Sequence, residues 1–219
     1  MAFKGWPVSA VEFYEGLEAD NSKVYWADHK AIYERDVKGP MEALLADLAG
    51  EFGEGRVFRP YRDVRFSPNK EPYKTAMGAT VGDGYVQISA DGLMAATGMY
   101  HMMADQLDRY RRAVAGARTG ADLERVIASV EKEEIDVRGI NRLKTAPKGY
   151  PRDHPRVELL RNKGLIAGKS WPPAGWLGTA AARTRIVDVL RAAQPLNDWL
   201  SEHVGPSAME EDPVTHRRR

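Results

Sequence analysis

Apolar positions along the chain change their period twice, and the three regimes predict helices, then strands, then helices again. In the first regime Ser9-Ala-Val-Glu12 matches a capping box, which predicts a helix from Ala10 to about Ala19 with Phe13, Tyr14 and Leu17 on its apolar face. Asp20 or Asn21 is placed to cap a second helix, in which Trp26, His29 and Tyr33 share one side. Gly39-Pro40 predicts a break and the first turn of a third helix. That helix carries the stripe Met41, Leu44, Leu45, Leu48 and Phe52, and Gly53 ends it.

After Gly55 the period falls to two. Phe58, Pro60, Val64 and Phe66 alternate with Arg59, Tyr61, Asp63 and Arg65, which predicts a strand closed by a turn at Ser67-Pro68-Asn69-Lys70. Strands are predicted at 74–81, 85–90 and 93–100, joined by Gly82-Asp83-Gly84 and by Asp91-Gly92, a two-residue hairpin signal. Helical spacing returns with Leu107, Tyr110 and Val114, and again after Thr119 or Asp122 with Leu123, Val126, Ile127 and Val130. Residues 135–155 read as irregular, with a short helix at Leu159-Leu160, an edge strand at 165–171, and a closing helix over 179–203 interrupted at Pro195. The order predicts an α+β fold: an antiparallel meander of about four to five strands in the middle, flanked by N-terminal and C-terminal helices packed on one face. Residues 1–204 read as one domain and 205–219 as a disordered tail ending in three arginines.

Composition narrows the setting. No apolar run reaches the roughly 18 residues of a membrane span, the first residues lack the apolar core of a signal peptide, and the chain has no cysteine. Disulfides and thiolate chemistry are therefore excluded, and a cytoplasmic protein without membrane attachment is the expectation. A net charge of +1 hides segments of opposite sign. Residues 1–54 hold eleven acids against five bases, residues 56–75 six bases against two acids, and residues 142–169 eight bases against two acids. Segmental basic charge favours anionic partners.

The candidate chemistry follows from those two basic stretches. Tyr61 to Thr75 places Arg62, Arg65, Lys70 and Lys74 beside Asp63, Asn69 and Tyr73, and guanidinium forks of this kind suit phosphate or carboxylate. The competing reading is architectural, with Asp63 pairing an arginine and Arg62 holding a loop. Pro147 to Lys163 is the second stretch: Lys148, Arg152 and His154 surround a Gly-Tyr-Pro turn, and a helix from about Pro155 would aim its free amides at an anion unless Asp153 simply caps it. His29, His154 and Asp63 are the candidates for proton transfer if a reaction takes place, and whether one does is left open. No pair of histidines has ligand spacing on one element, so no metal is expected, and no cofactor motif is present: GxSxG, GxxxxGK[ST] and GxGxxG are all absent.

Over nearly its full length the chain resembles the domain-of-unknown-function family numbered 2461. The resemblance is carried by Phe3-Lys-Gly-Trp6, by Asn21 through Tyr33, by Arg62-Asp-Val-Arg-Phe-Ser-Pro-Asn-Lys-Glu-Pro-Tyr-Lys-Thr75, by Gly98-Met-Tyr100 and by Pro147-Lys-Gly-Tyr-Pro-Arg-Asp-His-Pro155. Asn69 stands where the family pattern often has Asp, which weakens any role that needs a carboxylate there. The resemblance implies no activity. The functional expectation is an anionic, phosphate- or carboxylate-bearing small ligand bound in a basic polar pocket on the sheet by Arg62, Asp63, Arg65, Lys70, Tyr73, Lys74, Lys148 and Arg152. The alternatives are a protein-interaction or scaffold module without catalysis, and single-stranded nucleic-acid binding on the sheet face, which a pI near 7.9 disfavours without excluding. The oligomeric state is open.

Overall fold

The computed structural model describes residues 2–65 and 68–209. Phe66 and Ser67 of the predicted turn, and the predicted tail from residue 210 on, lie outside the described residues. The fold is α+β. Its sheet has six antiparallel strands rather than four to five, in the order β1 (Gly55–Val57), β2 (Ala76–Val81), β3 (Gly84–Ser89), β4 (Gly92–Met99), β6 (Gly164–Trp171) and β5 (Asp136–Ile140). The chain gathers into two compact units, one holding the described residues up to Ala95 with Ser170–Asp188, the other Ala96–Lys169 with the described residues from Val189.

The first unit begins with α1 (Val8–Ala19). The predicted capping box is not formed: the helix starts two residues early after Pro7, and Ser9 Oγ donates instead to Asp36 Oδ2 at 2.7 Å. Asp36 is buried, and a buried carboxylate claims whatever donors it can reach. In α2 (Lys23–Ile32) the cap is Ser22, whose hydroxyl accepts from Tyr25 N–H at 3.1 Å, rather than Asp20 or Asn21. Nor does the chain break at Gly39-Pro40. It passes through a π-helical turn, Tyr33–Lys38, in which Gly39 N–H donates to Glu34 C=O, and continues as α3 (Gly39–Phe52). A proline ring collides with the carbonyl four residues back in a regular helix, and the wider π turn moves that carbonyl aside. Gly53, at φ +94°, ends α3 as predicted. α1 packs on β3, and α3 on β1 and β2, closing a core of Leu44, Leu48, Met77, Val81, Val86 and Ile88.

The predicted strand from Phe58 to Phe66 is replaced by an excursion. β1 stops after three residues, because Pro60 and Pro72 cannot donate to a ladder, and the described residues of 58–75 leave the sheet before β2. Their ends stay tied: Phe58 N–H donates to Gly78 C=O (2.9 Å), Lys74 N–H to Pro60 C=O (2.8 Å) and Arg62 N–H to Pro72 C=O (2.9 Å), with a bridge between Tyr61 and Tyr73.

In the second unit α4 (Ala104–Ala115) and α5 (Ala117–Glu131) pack together with α8 (Gln194–His203) around Tyr110, Val114, Leu123 and Trp199. α5 starts directly after Gly116, earlier than Thr119, whose hydroxyl bonds Ala113 C=O. The closing helix is two, α7 (Ala181–Ala192) and α8, parted next to Pro195 as the sequence predicts. β5 falls inside the stretch read as irregular, and it takes the edge, so β6 is an inner strand between β4 and β5. The sequence of β5 hides it: Gly139 interrupts the β pattern because the Asn162 side chain fills the place of a Cβ.

Candidate functional site

The first unit holds an open cleft of about 700 Å³. One wall comes from Trp26, Lys30 and the π turn, the next from Leu45, Ala46 and Ala49 of α3, and the last from β1 and the start of the excursion, Arg56 to Tyr61. The aromatic wall is assembled by one clamp. Asn21 accepts from Tyr73 N–H (3.0 Å) and donates to Tyr73 C=O (3.2 Å), which holds the Tyr73 ring flat against Trp26 at 4.3 Å between centroids and 7° between planes. Tyr33 lies 4.8 Å and Tyr61 6.0 Å from Trp26, and Tyr61 keeps 49% of its surface exposed at the mouth. Burial, helped by Glu34, pushes the Tyr33 hydroxyl well above its ordinary pKa, so it stays protonated.

The charges of the cleft divide into answered and unanswered. Lys38 is held by Glu34 (2.9 Å) and Glu42 (3.8 Å), and the bond to Glu34 raises its pKa. Lys30, Glu54, Arg56 and Arg59 line the cleft outside any ion pair among the described residues, with the charge of Arg59 also reaching Asp63. Lys74 lies 5.7 Å from the centroid of Phe58, a wall residue. Burial, then the positive charges of Arg59 and Arg62, hold its pKa below the ordinary value.

The predicted binding residues of the excursion mostly satisfy one another. Arg65 donates a fork to Asp63 (2.8 and 2.6 Å), and those bonds hold the Asp63 carboxyl far below the usual carboxylate range. Arg62 pairs with Glu71 at 3.1 Å, Lys70 donates to Val64 C=O at 3.0 Å, and Asn69 braces Glu71. Arg62, Asp63, Arg65 and Lys70 thus shape the excursion, Tyr73 builds the aromatic wall, and Lys74 stands at its rim.

Lys148 and Arg152 are exposed in the loop before α6 (Val157–Leu160) of the second unit. That helix has four residues, begins at Val157 rather than Pro155, and is not capped by Asp153. His154 Nδ1 accepts from Arg156 N–H at 3.0 Å; Arg156 donates to Glu124 at 2.8 Å, and Arg161 to Glu158 and Leu143 C=O at 2.8 and 2.6 Å. His29 does not face Trp26 and Tyr33. It stacks on Tyr25 at 4.0 Å and donates from Nδ1 to Tyr25 C=O at 2.8 Å. Among the described residues no cluster of three His, Asp or Glu side chains is arranged to hold a metal, and no helix is long and apolar enough to cross a membrane.

Spacing put Trp26, His29 and Tyr33 on one side of a helix but gave no role to Lys30, Arg56 and Arg59. The signal available for them was the aromatic pair seven residues apart, Trp26 in α2 and Tyr33 at the start of the π turn, matched by Tyr61 and Tyr73 inside a proline-flanked basic stretch. Comparison with curated proteins and with solved structures returned no match. A family model described as conserved hypothetical protein DUF2461 matches residues 9–199, which spans the clamp, the aromatic wall, the excursion and both units, so the chain belongs to the DUF2461 family.

Proposed function

We propose that the protein binds a small ligand in the cleft of the first unit, one that joins a carboxylate or phosphate to an apolar or planar body. The observation that carries this reading is the meeting of positive charge and open aromatic surface: Arg59 lines the same cleft as Trp26 and Tyr61, and the charges of Arg59 and Arg62 lie near enough to Lys74 to disfavour its own. An anion placed there would relieve that repulsion, and the rings would take the body of the ligand by stacking. In this reading Arg59 and Lys74 hold the anion, Arg62 strengthens the field while fixed by Glu71, and Tyr61 closes over the ligand. The paired residues Asp63 and Arg65 keep the excursion in shape. The proposal is one of binding; no reaction is assigned to it.

The test is a stability screen against nucleoside monophosphates, sugar phosphates and aromatic carboxylates. A ligand at 100 times its dissociation constant is expected to stabilise the fold by about 2.7 kcal/mol. Arg59→Ala abolishes that gain and Arg65→Ala retains it. A screen in which no compound stabilises the protein, or in which the gain survives Arg59→Ala, overturns the reading.

A further inference from the structure

The cleft also exposes backbone. β1 is the edge of the sheet, and its register against β2 fixes which of its groups are used. Phe58 N–H donates to Gly78 C=O and Gly82 N–H to Glu54 C=O, so Glu54, Arg56 and Phe58 are the residues that turn their amides and carbonyls toward β2. The intervening Gly55 and Val57 point theirs the other way, off the sheet, and both residues line the cleft. Neither has a backbone partner on that side among the described residues. Edge strands are ordinarily protected by a covering element or by a charge that repels another strand. Here α3 packs beside β1 while α2 lines the far side of the cleft, and Arg56 and Arg59 are the side chains next to the edge.

We infer that the cleft takes an extended acidic peptide, which adds as a seventh strand to the free edge of β1 through Gly55 and Val57 while its carboxylates meet Arg56, Arg59 and Lys30. This deepens the anion-binding reading above and rests on it. Three observations fit a peptide better than a compact anion. Gly55 and Val57 lie two residues apart, the repeat at which an added strand exchanges hydrogen bonds with its neighbour. Arg56 lies within β1 and Arg59 two residues past its end, a spacing along the chain that suits carboxylates carried on an extended partner. The neighbouring α3 surface offers Ala46 and Ala49, with Leu45 buried beneath them, and this apolar patch accepts the alternate, uncharged side chains of a strand. The acids of the opposing helices, Glu34 and Glu42, are already engaged by Lys38, leaving Glu54 as the single acid of the lining that opposes an acidic partner.

Three fluorescein-labelled seven-residue probes test this by anisotropy against the full chain. The first alternates Val and Glu, the second alternates Val and Lys, and the third is the Val/Glu peptide N-methylated at alternate amides. N-methylation keeps charge and side chains but removes the ladder donors. The expected result is binding of the first probe, loss of about tenfold or more in affinity for the N-methylated one, and none for the Lys probe. The Gly55 and Val57 amides should exchange hydrogen more slowly when the first probe is bound, and Arg59→Ala should weaken it. Equal affinity for the parent and N-methylated probes overturns strand addition alone. So does failure of the Val/Glu probe when small anions of the stability screen still bind through Arg59. Failure of both the probe and the anions overturns the inference and the reading beneath it together. A concentration-dependent mass in light scattering, with slowed exchange at Gly55 and Val57 in the absence of any probe, assigns the edge to a second copy of the chain and also overturns it.

Discussion

The two basic stretches have similar compositions and opposite fates. In the second unit Arg142, Arg156 and Arg161 are spent on Glu124, Glu158 and backbone carbonyls, so the charge serves to tie an irregular loop to its neighbouring helices. In the first unit the excursion spends Arg62 and Arg65 in the same way, on Glu71 and Asp63, but leaves Lys74 beside the Phe58 ring and Arg59 outside any ion pair among the described residues. The density of positive residues therefore does not mark a site. What marks it is whether an acid or an aromatic side chain is the nearest neighbour, because an acid neutralises a cation and a ring leaves its charge available.

Removing the aromatic wall tests the comparison with the largest effect. Trp26→Ala deletes a buried ring stacked on Tyr73, and it should cost about 3–5 kcal/mol in urea denaturation and abolish cleft binding. In the second unit Arg156→Ala removes a side chain only 14% exposed, with bonds to Glu124 and to Gly116 C=O, and should cost about 1–3 kcal/mol without changing any ligand response. A ligand effect of Arg156→Ala would undo the contrast between the stretches.

Acid should act next, and on the second unit. Asp105 receives Ser207 Oγ (2.7 Å) and Ala208 N–H (2.9 Å), and these bonds, with that of Arg109, lower its pKa to about 2. Its folded value is depressed, so its contribution is complete above the ordinary value of 3.8 and disappears as pH falls toward 2. Amide exchange at Ala208 should accelerate through that window, and Asp105→Asn should remove the pH dependence. The smallest effect is expected of Arg65→Ala: its guanidinium is 63% exposed, so water takes over much of what it gives Asp63, the unfolding midpoint should barely move and ligand binding should persist. A drop in either would place Arg65 within the site.

Much of the architecture was legible in the residues, and the failures share a cause. Periodicity located α1, α3, the β2–β3–β4 meander and the break at Pro195, because one buried face dictates each. It failed where a side chain or backbone group serves a distant partner. Ser9 is a good cap by its local sequence but is taken by Asp36, and Asn21 is taken by Tyr73, 52 residues away. Residues 58–66 alternate like a strand in sequence, yet Pro60 and the Tyr61–Tyr73 bridge make the described ones, 58–65, an excursion. β5 was lost because its Gly139 accommodates Asn162, a contact no local window contains. The site divides the same way: Trp26 and Tyr33 announce themselves by spacing, while Arg56 and Arg59 matter only because β1 ends at an edge.

The π turn at Tyr33–Lys38 carries one consequence for how the protein can change. It is a single residue of slack spliced between two helices, and each residue of a regular helix turns the chain by about 100°. Deleting one position there would remove that slack: the Leu44, Leu45 and Leu48 stripe would keep its facing, but the Pro40 ring would then meet the carbonyl four residues before it. The extra residue thus makes room for Pro40, and its loss would cost the junction more than a substitution that preserves length.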